Sequence, residues 1–225
     1  AGNDNLTSED FRQNRNLSFK SDVIEFTFAY EFHLYREEVG HVYDLRGVQG
    51  TKSSRAGFYT FIGIGGFYFD PKAQFQNTWV RLKPLGTEGQ GLPNAPEEYD
   101  NYALCVPMGL GLRKAFSKLF SAGLELQYTK TFTDYVDDVS TTYYDREALL
   151  AARGEVASYL ADPSIRTGRL YANGLDPTAP GQQRGDPNDL DSYLFLKFQL
   201  HYKLVKLKSG SKQYRTRIRR QKIVF

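Results

Sequence analysis

Glu25, Glu31, Glu125, His33 and His201 are the side chains with which this sequence could do acid–base work, because carboxylate and imidazole groups can exchange protons with a substrate. Arg113, Lys197 and Lys203 occupy the corresponding positions of their own segments and carry the opposite charge. Unpaired charges are costly in a confined interior, so these eight residues are expected to form a structural ion-pair network and not a catalytic site. A second group, Asp134, Asp137, Asp138 and Asp145, has the oxygen ligands that calcium takes, but its spacing fits no EF-hand and a solvated loop is the plainer reading. The glycine-rich pieces Gly63-Ile64-Gly65-Gly66 and Gly86-Thr87-Glu88-Gly89-Gln90-Gly91 lack the Lys-Ser/Thr of a phosphate loop. They read as small packing residues and a turn cluster. One Cys and three His make neither an internal disulfide nor a standard zinc site. No cofactor is implied, and the chain reads as a non-enzyme.

The segments that carry the eight charges share one pattern. From Asp22 to Tyr35 the even positions are Ile24, Phe26, Phe28, Tyr30, Phe32 and Leu34, while the odd positions include Glu25, Thr27, Glu31 and His33. A period of two puts apolar groups on one face of a strand and ionisable groups on the other. The same alternation runs through Tyr102 to Arg113, Phe120 to Thr129 and Leu194 to Leu204. Phe58 to Phe69 reads as a fifth strand whose facing is ambiguous. These strands are about twice the usual ~5–6 residues and, tilted, are long enough to cross an apolar slab of ~25 Å. Glycine, Ser, Thr and single charges of both signs on the polar face suit the filled interior of a narrow barrel. The expected fold is therefore an all-β transmembrane antiparallel barrel, with a soluble sandwich as the alternative.

Composition and loop lengths agree with this reading. Mean hydropathy is −0.52 and no apolar run approaches the ~18 residues of a membrane helix, while 16 Tyr and 16 Phe are too much aromatic surface for a disordered chain. Connections of about 70–100 and 133–190 are long and Lys114–Lys118 is very short, which places the long ones outside the cell and the chain from Lys206 in the periplasm. On that orientation the first visible strand begins outside, so an odd number of strands is expected to precede it. Five visible strands and three absent ones make eight; an open five-stranded sheet is the other possibility. Within the second loop, residues 145–161 have the spacing of an amphipathic helix, with Asp145 as N-cap and Pro163 as its stop. The barrel is thus expected over 1–205 and a basic tail over 206–225. That tail has eight Lys/Arg and no acid, leaving 21 basic against 26 acidic residues in the body. Lys212, Arg215, Arg217, Arg219, Arg220 and Lys222 are its candidate partner-binding residues, for an acidic periplasmic protein or anionic lipid and not for nucleic acid.

Several stretches resemble one family. Asn16-Leu17-Ser18-Phe19-Lys20-Ser21-Asp22, Phe67-Tyr68-Phe69-Asp70-Pro71-Lys72-Ala73 and Leu85-Gly86-Thr87-Glu88-Gly89-Gln90-Gly91 look like the PorG-type outer-membrane barrels of Bacteroidota. So do Lys130-Thr131-Phe132-Thr133-Asp134-Tyr135-Val136-Asp137-Asp138-Val139 and Arg184-Gly185-Asp186-Pro187-Asn188-Asp189. The resemblance implies an eight-stranded barrel of the type IX protein secretion system, contacting a periplasmic ring made of a lipoprotein and a partner subunit. It transfers no catalytic residue. The family's first strands have no counterpart here, and the basic tail is longer than the resemblance leads one to expect. A small porin or ligand-binding barrel is the competing function, and a barrel hydrolase or acyltransferase would need polar groups reachable from the bilayer that the apolar faces lack.

Overall fold

The computed structural model describes residues 1–37, 56–117, 119–165 and 176–204, together with the backbone of two short strands at 44–45 and 48–49. Its strands are β1 (Gly2–Asn3), β2 (Ser18–Tyr35), β3 (Asp44–Leu45), β4 (Val48–Gln49), β5 (Ala56–Phe75), β6 (Thr78–Arg81), β7 (Tyr102–Ala115), β8 (Phe120–Thr131) and β9 (Ser192–Tyr202). Three short α-helices accompany them among the described residues: α1 (Asp10–Arg15), α2 (Arg146–Arg153) and α3 (Glu155–Ala161). One antiparallel sheet takes the order β1-β2-β5-β7-β8-β9, with β6 added to the far end of β5. β3 and β4 pair with each other. The five long strands are thus an up-and-down meander in chain order, and no described helix is long and apolar enough to cross a membrane.

Alternation governs every long strand, but the sheet is polar where a soluble protein is greasy. Ile24, Phe26, Phe28, Leu104, Leu110, Leu124, Leu126, Leu196, Phe198 and Leu200 are all at least 45% exposed. On the opposite face Ser121, Glu125, Gln127, Thr129 and Thr131 are buried. The facing of β5 is resolved as well: Tyr59, Phe61, Phe67 and Phe69 are buried while Ile62 and Ile64 are exposed, so its odd positions point inward. Glycines on β7 make room for these rings. A Cβ at Gly111 would lie 2.1 Å from the Tyr59 ring, and one at Gly109 would lie 2.8 Å from Phe61. Tyr59 pairs with Gly111 and Phe61 with Gly109 across the ladder, so each ring lies over a bare backbone.

The sheet is strongly curled. At ~4.8 Å per strand, a flat sheet would hold β2 and β9 roughly 19 Å apart, since β5, β7 and β8 lie between them. Yet Tyr193 Oη of β9 donates to Glu25 Oε2 of β2 at 2.7 Å. The concave face therefore closes on itself through side chains, although no backbone ladder joins β2 to β9 among the described residues.

Two sequence expectations are corrected. The strand expected to end at Phe69 continues through Pro71 to Phe75, and residues 70–81 of the first long connection form a hairpin extension. Its two-residue turn is Gln76-Asn77, with φ of 46° and 64°, the left-handed pair that the twist of a tight hairpin selects. The single helix expected over 145–161 is two helices separated by Gly154 at φ 85°, a conformation that glycine adopts without a Cβ penalty. Asp145 caps the first as expected, its Oδ1 accepting from the Ala148 amide at 2.9 Å.

Candidate functional site

The concave face holds all eight predicted charges. At the middle of the sheet Glu25 accepts from Gln127 Nε2 at 3.0 Å and from Tyr193, with no cation in a salt bridge to it among the described residues. Lys197 donates to Gln127 and stands 3.8 Å from Glu125. Glu125 also accepts from Tyr59 Oη at 2.8 Å and from Gln199 Nε2 at 2.9 Å, and His201 lies 3.2 Å from Gln199 Oε1. Nearer the short turn, Glu31 faces Arg113 at 3.4 Å and His33 at 3.2 Å, and the Arg113 guanidinium sits 4.7 Å over the Tyr59 ring. Lys203 bonds Glu37.

The expected ion-pair network is therefore mixed. Glu31, Arg113, Glu125, Lys197 and Lys203 form ion pairs, but Glu25 and His201 are satisfied by neutral amide and phenol groups. Tyr59, Gln127, Tyr193 and Gln199 connect the charged residues and were not singled out in the sequence. Three of them stand at inward positions of alternating strands, which was a usable signal; Tyr59 was hidden by the ambiguous phase of β5. The arrangement fills the interior with hydrogen bonds and ion pairs, and among the described residues leaves Arg113 Nε and Ser121 Oγ without a hydrogen-bond partner.

Beyond the long-loop end of the sheet, the connections fold into a cap around a buried ion pair. Glu88 and Arg184 are 3.0 Å apart and almost wholly buried. Glu88 also accepts from the Ser140 and Thr141 amides and from Thr141 Oγ1. Arg184 donates to the carbonyls of Asp138 and Ala161, and its own carbonyl accepts from Arg15 at 2.6 Å. Four chain segments meet at this residue. Asp138, fully buried, accepts from Thr87 at 2.5 Å and Tyr99 at 2.6 Å. Tyr99 stacks on Tyr135 at 4.4 Å and on Phe69 at 6.1 Å, so an aromatic column runs from the interior of the sheet into the cap.

This geometry corrects the reading of the acidic cluster. Asp134 and Asp138 are buried, not solvated, and Asp145 is spent on a helix cap. Among the described residues no group of three or more His, Cys, Asp or Glu is placed to hold a metal ion. Burial raises the Asp134 carboxyl to about 7 and the Asp138 carboxyl to about 6, the latter against the opposing pull of Arg184. Burial and the charge of Asp191 raise Asp137. The glycine-rich stretch at 86–91 is a turn cluster as read, with Gly86, Gly89 and Gly91 all at positive φ, but Thr87, Glu88 and Gln90 between them form the core of the cap. A cavity of about 190 Å³ lies between this cap and the N-terminal segment, and its arginines are already paired: Arg12 with Glu9, Arg15 with Asp4 and Arg184 with Glu88.

The candidate tail residues Lys212, Arg215, Arg217, Arg219, Arg220 and Lys222 lie outside the described residues. Comparison with family models, with curated proteins and with solved structures finds no match to this chain.

Proposed function

We propose that this chain is the greater part of an eight-stranded outer-membrane β-barrel that anchors or scaffolds the periplasmic ring of a type IX secretion system without catalysing a reaction. One observation carries the membrane reading: an apolar surface, largely exposed, covers the convex side of five strands of 11 to 20 residues, while the buried side chains, ionisable and amide groups among them, lie on the concave side. In water that distribution is inverted, and the exposed apolar area far exceeds the few hundred Å² a soluble monomer tolerates. In a bilayer it is the required one. Aromatic residues at both ends of the strands, Tyr68, Tyr102 and Trp79 on the cap side and Phe116, Phe120 and Tyr202 on the other, suit the two membrane interfaces.

Among the described residues the outer edges of β2, beyond its short pairing with β1, and of β9 have no partner strand, which supports closure by three further strands, since an open edge in hydrocarbon leaves amide and carbonyl groups unsatisfied. With the cap outside the cell, residues 206–225 enter the periplasm, where a basic tail can meet the ring lipoprotein and its partner subunit. The secretion role rests on the sequence resemblance. It is tested by purifying the protein from outer membranes in mild detergent and identifying what accompanies it. Recovery of the ring proteins is the expected result; a barrel that purifies alone and conducts ions stably in a planar bilayer would instead be a porin.

A further inference from the structure

The convex face is not uniformly bulky. Near its cap end a groove of about 480 Å³ opens over Gly66, walled by Ile24, Phe26, Tyr68, Tyr102 and Leu104. The register explains it: Phe26, Gly66 and Leu104 are direct neighbours across β2, β5 and β7, so the glycine leaves a gap between two large side chains. A Cβ added at Gly66 meets nothing nearer than the Ala103 carbonyl oxygen, at 3.6 Å.

A basic row lies above this groove. Lys20, Lys72 and Arg81 are direct neighbours across β2, β5 and β6, six residues along β5 from Gly66 and therefore ~20 Å along the strand. Lys72 is held by Asp22 at 2.5 Å and by Asp70 at 3.4 Å, and Arg81 Nε donates to Asp70 at 2.8 Å. Lys20 sits 4.0 Å over the Trp79 ring and is in no salt bridge with a described residue, so the row carries one positive charge more than its two carboxylates balance. The half-exposed Arg81 side chain reaches back toward the groove, its Nη2 lying 3.5 Å from Tyr68 Oη. The basic row and the apolar slot thus lie on one outward face, with Arg81 and Tyr68 between them.

We propose that this site holds one phosphorylated lipid of the outer leaflet, an acyl chain in the groove over Gly66 and a phosphate on Lys20 and Arg81. Ammonium and guanidinium groups make strong charge-assisted hydrogen bonds to phosphate oxygens, and the aromatic pair Tyr68–Tyr102, with rings 5.1 Å apart, sits where the headgroup region meets the hydrocarbon. The inference rests on the membrane reading above.

The test uses the full-length protein, delipidated in detergent, with monophosphoryl lipid A and its dephosphorylated form as probes and native mass spectrometry as the readout. The phosphorylated probe should bind one per protein and about tenfold more tightly than the other, the effect of one charge-assisted contact. Gly66→Leu should remove that binding by filling the slot, and Lys20→Gln with Arg81→Gln should abolish the preference, while both keep the heat-modifiable gel migration of a folded barrel. Equal binding of the two probes, or undiminished binding in folded Gly66→Leu, would show ordinary annular lipid and overturn the proposal. If Gly66→Leu does not fold, the charge variant alone decides. A wild-type protein that stays monodisperse without detergent and does not float with liposomes would defeat the membrane reading itself, and this site with it.

Discussion

At the scale of single residues, Arg184 is the contact on which the cap depends most. It is buried, it neutralises Glu88, and it ties two carbonyls from separate segments. Arg184→Ala leaves Glu88 as an uncompensated buried charge, and losses of about 3–5 kcal/mol are usual for that change. The expected outcome is rapid proteolysis and fast amide exchange across 86–91 and 133–141, with the strands still protected. Asp134 gives a second prediction. Its carboxyl is raised by burial to about 7, from an unfolded value of 3.8. A raised pKa means that the folded cap binds the proton more tightly, so this stabilisation is complete below about 4 and is lost as pH climbs through 7. Cap protection, corrected for intrinsic exchange, should be greater at pH 5 than at pH 8, and Asp134→Asn should reduce that difference. The sequence showed these acids but not their burial, because burial comes from loops brought together across more than fifty residues, as Asp138 is with Thr87. The eight concave-face residues were legible for the opposite reason: seven lie on alternating strands and Lys203 directly follows one, so position alone decides the face.

At the scale of elements, strand alternation made most of the sheet readable, and glycine decided what it left open. β2, β7, β8 and β9 follow their apolar positions, whereas β5 has Gly63, Gly65 and Gly66 where the pattern needed side chains. Its phase is set by pairing: Gly65 lies so close to Thr27 that a Cβ would come within 2.4 Å of Thr27 Cγ2, and Gly111 lies beneath Tyr59. Gly111→Val should therefore push Tyr59 off Glu125 and cost about 1–3 kcal/mol by overpacking. Tyr59→Ala combined with it should recover part of that loss, a coupling that a double-mutant cycle on detergent-solubilised protein measures directly. Facing can be tested in the same way on β2. Phe28 is 72% exposed on the apolar side, and Phe28→Arg near the membrane midplane should cost ~2–4 kcal/mol and lower the yield of assembled barrel. If Phe28→Arg assembles as well as wild type, that face does not meet lipid. The break at Gly154 and the hairpin at Gln76-Asn77 were not legible as boundaries, since both depend on a backbone conformation and not on periodicity.

At the scale of the whole molecule, a sheet curled enough to bond across its concave face still has two free edges among the described residues. Tyr193 and Glu25 bridge the opening by side chains, while among the described residues the backbones of β2 and β9 find no partner on their outer sides beyond the two residues of β1. Exposed edges of such length invite pairing with another chain, which the closure proposed above would prevent. Three added strands would do so and leave the interior as crowded as it is now, with Tyr59, Glu125, Gln199 and Lys197 across its width. A closed barrel of this kind should show no stable large conductance in a planar bilayer. On the role proposed above, contact with the ring falls to the periplasmic side, where the tail from Lys206 would bring eight positive charges. Such charges act mainly on association rate and its salt dependence. Truncation after Val205 should weaken association with the ring while the barrel still inserts, and binding by the intact protein should fall as salt rises beyond physiological strength, where the screening length is ~8 Å. Full ring association by the truncated barrel would place the docking surface elsewhere on the periplasmic side, on the segment from Arg36 to Arg55.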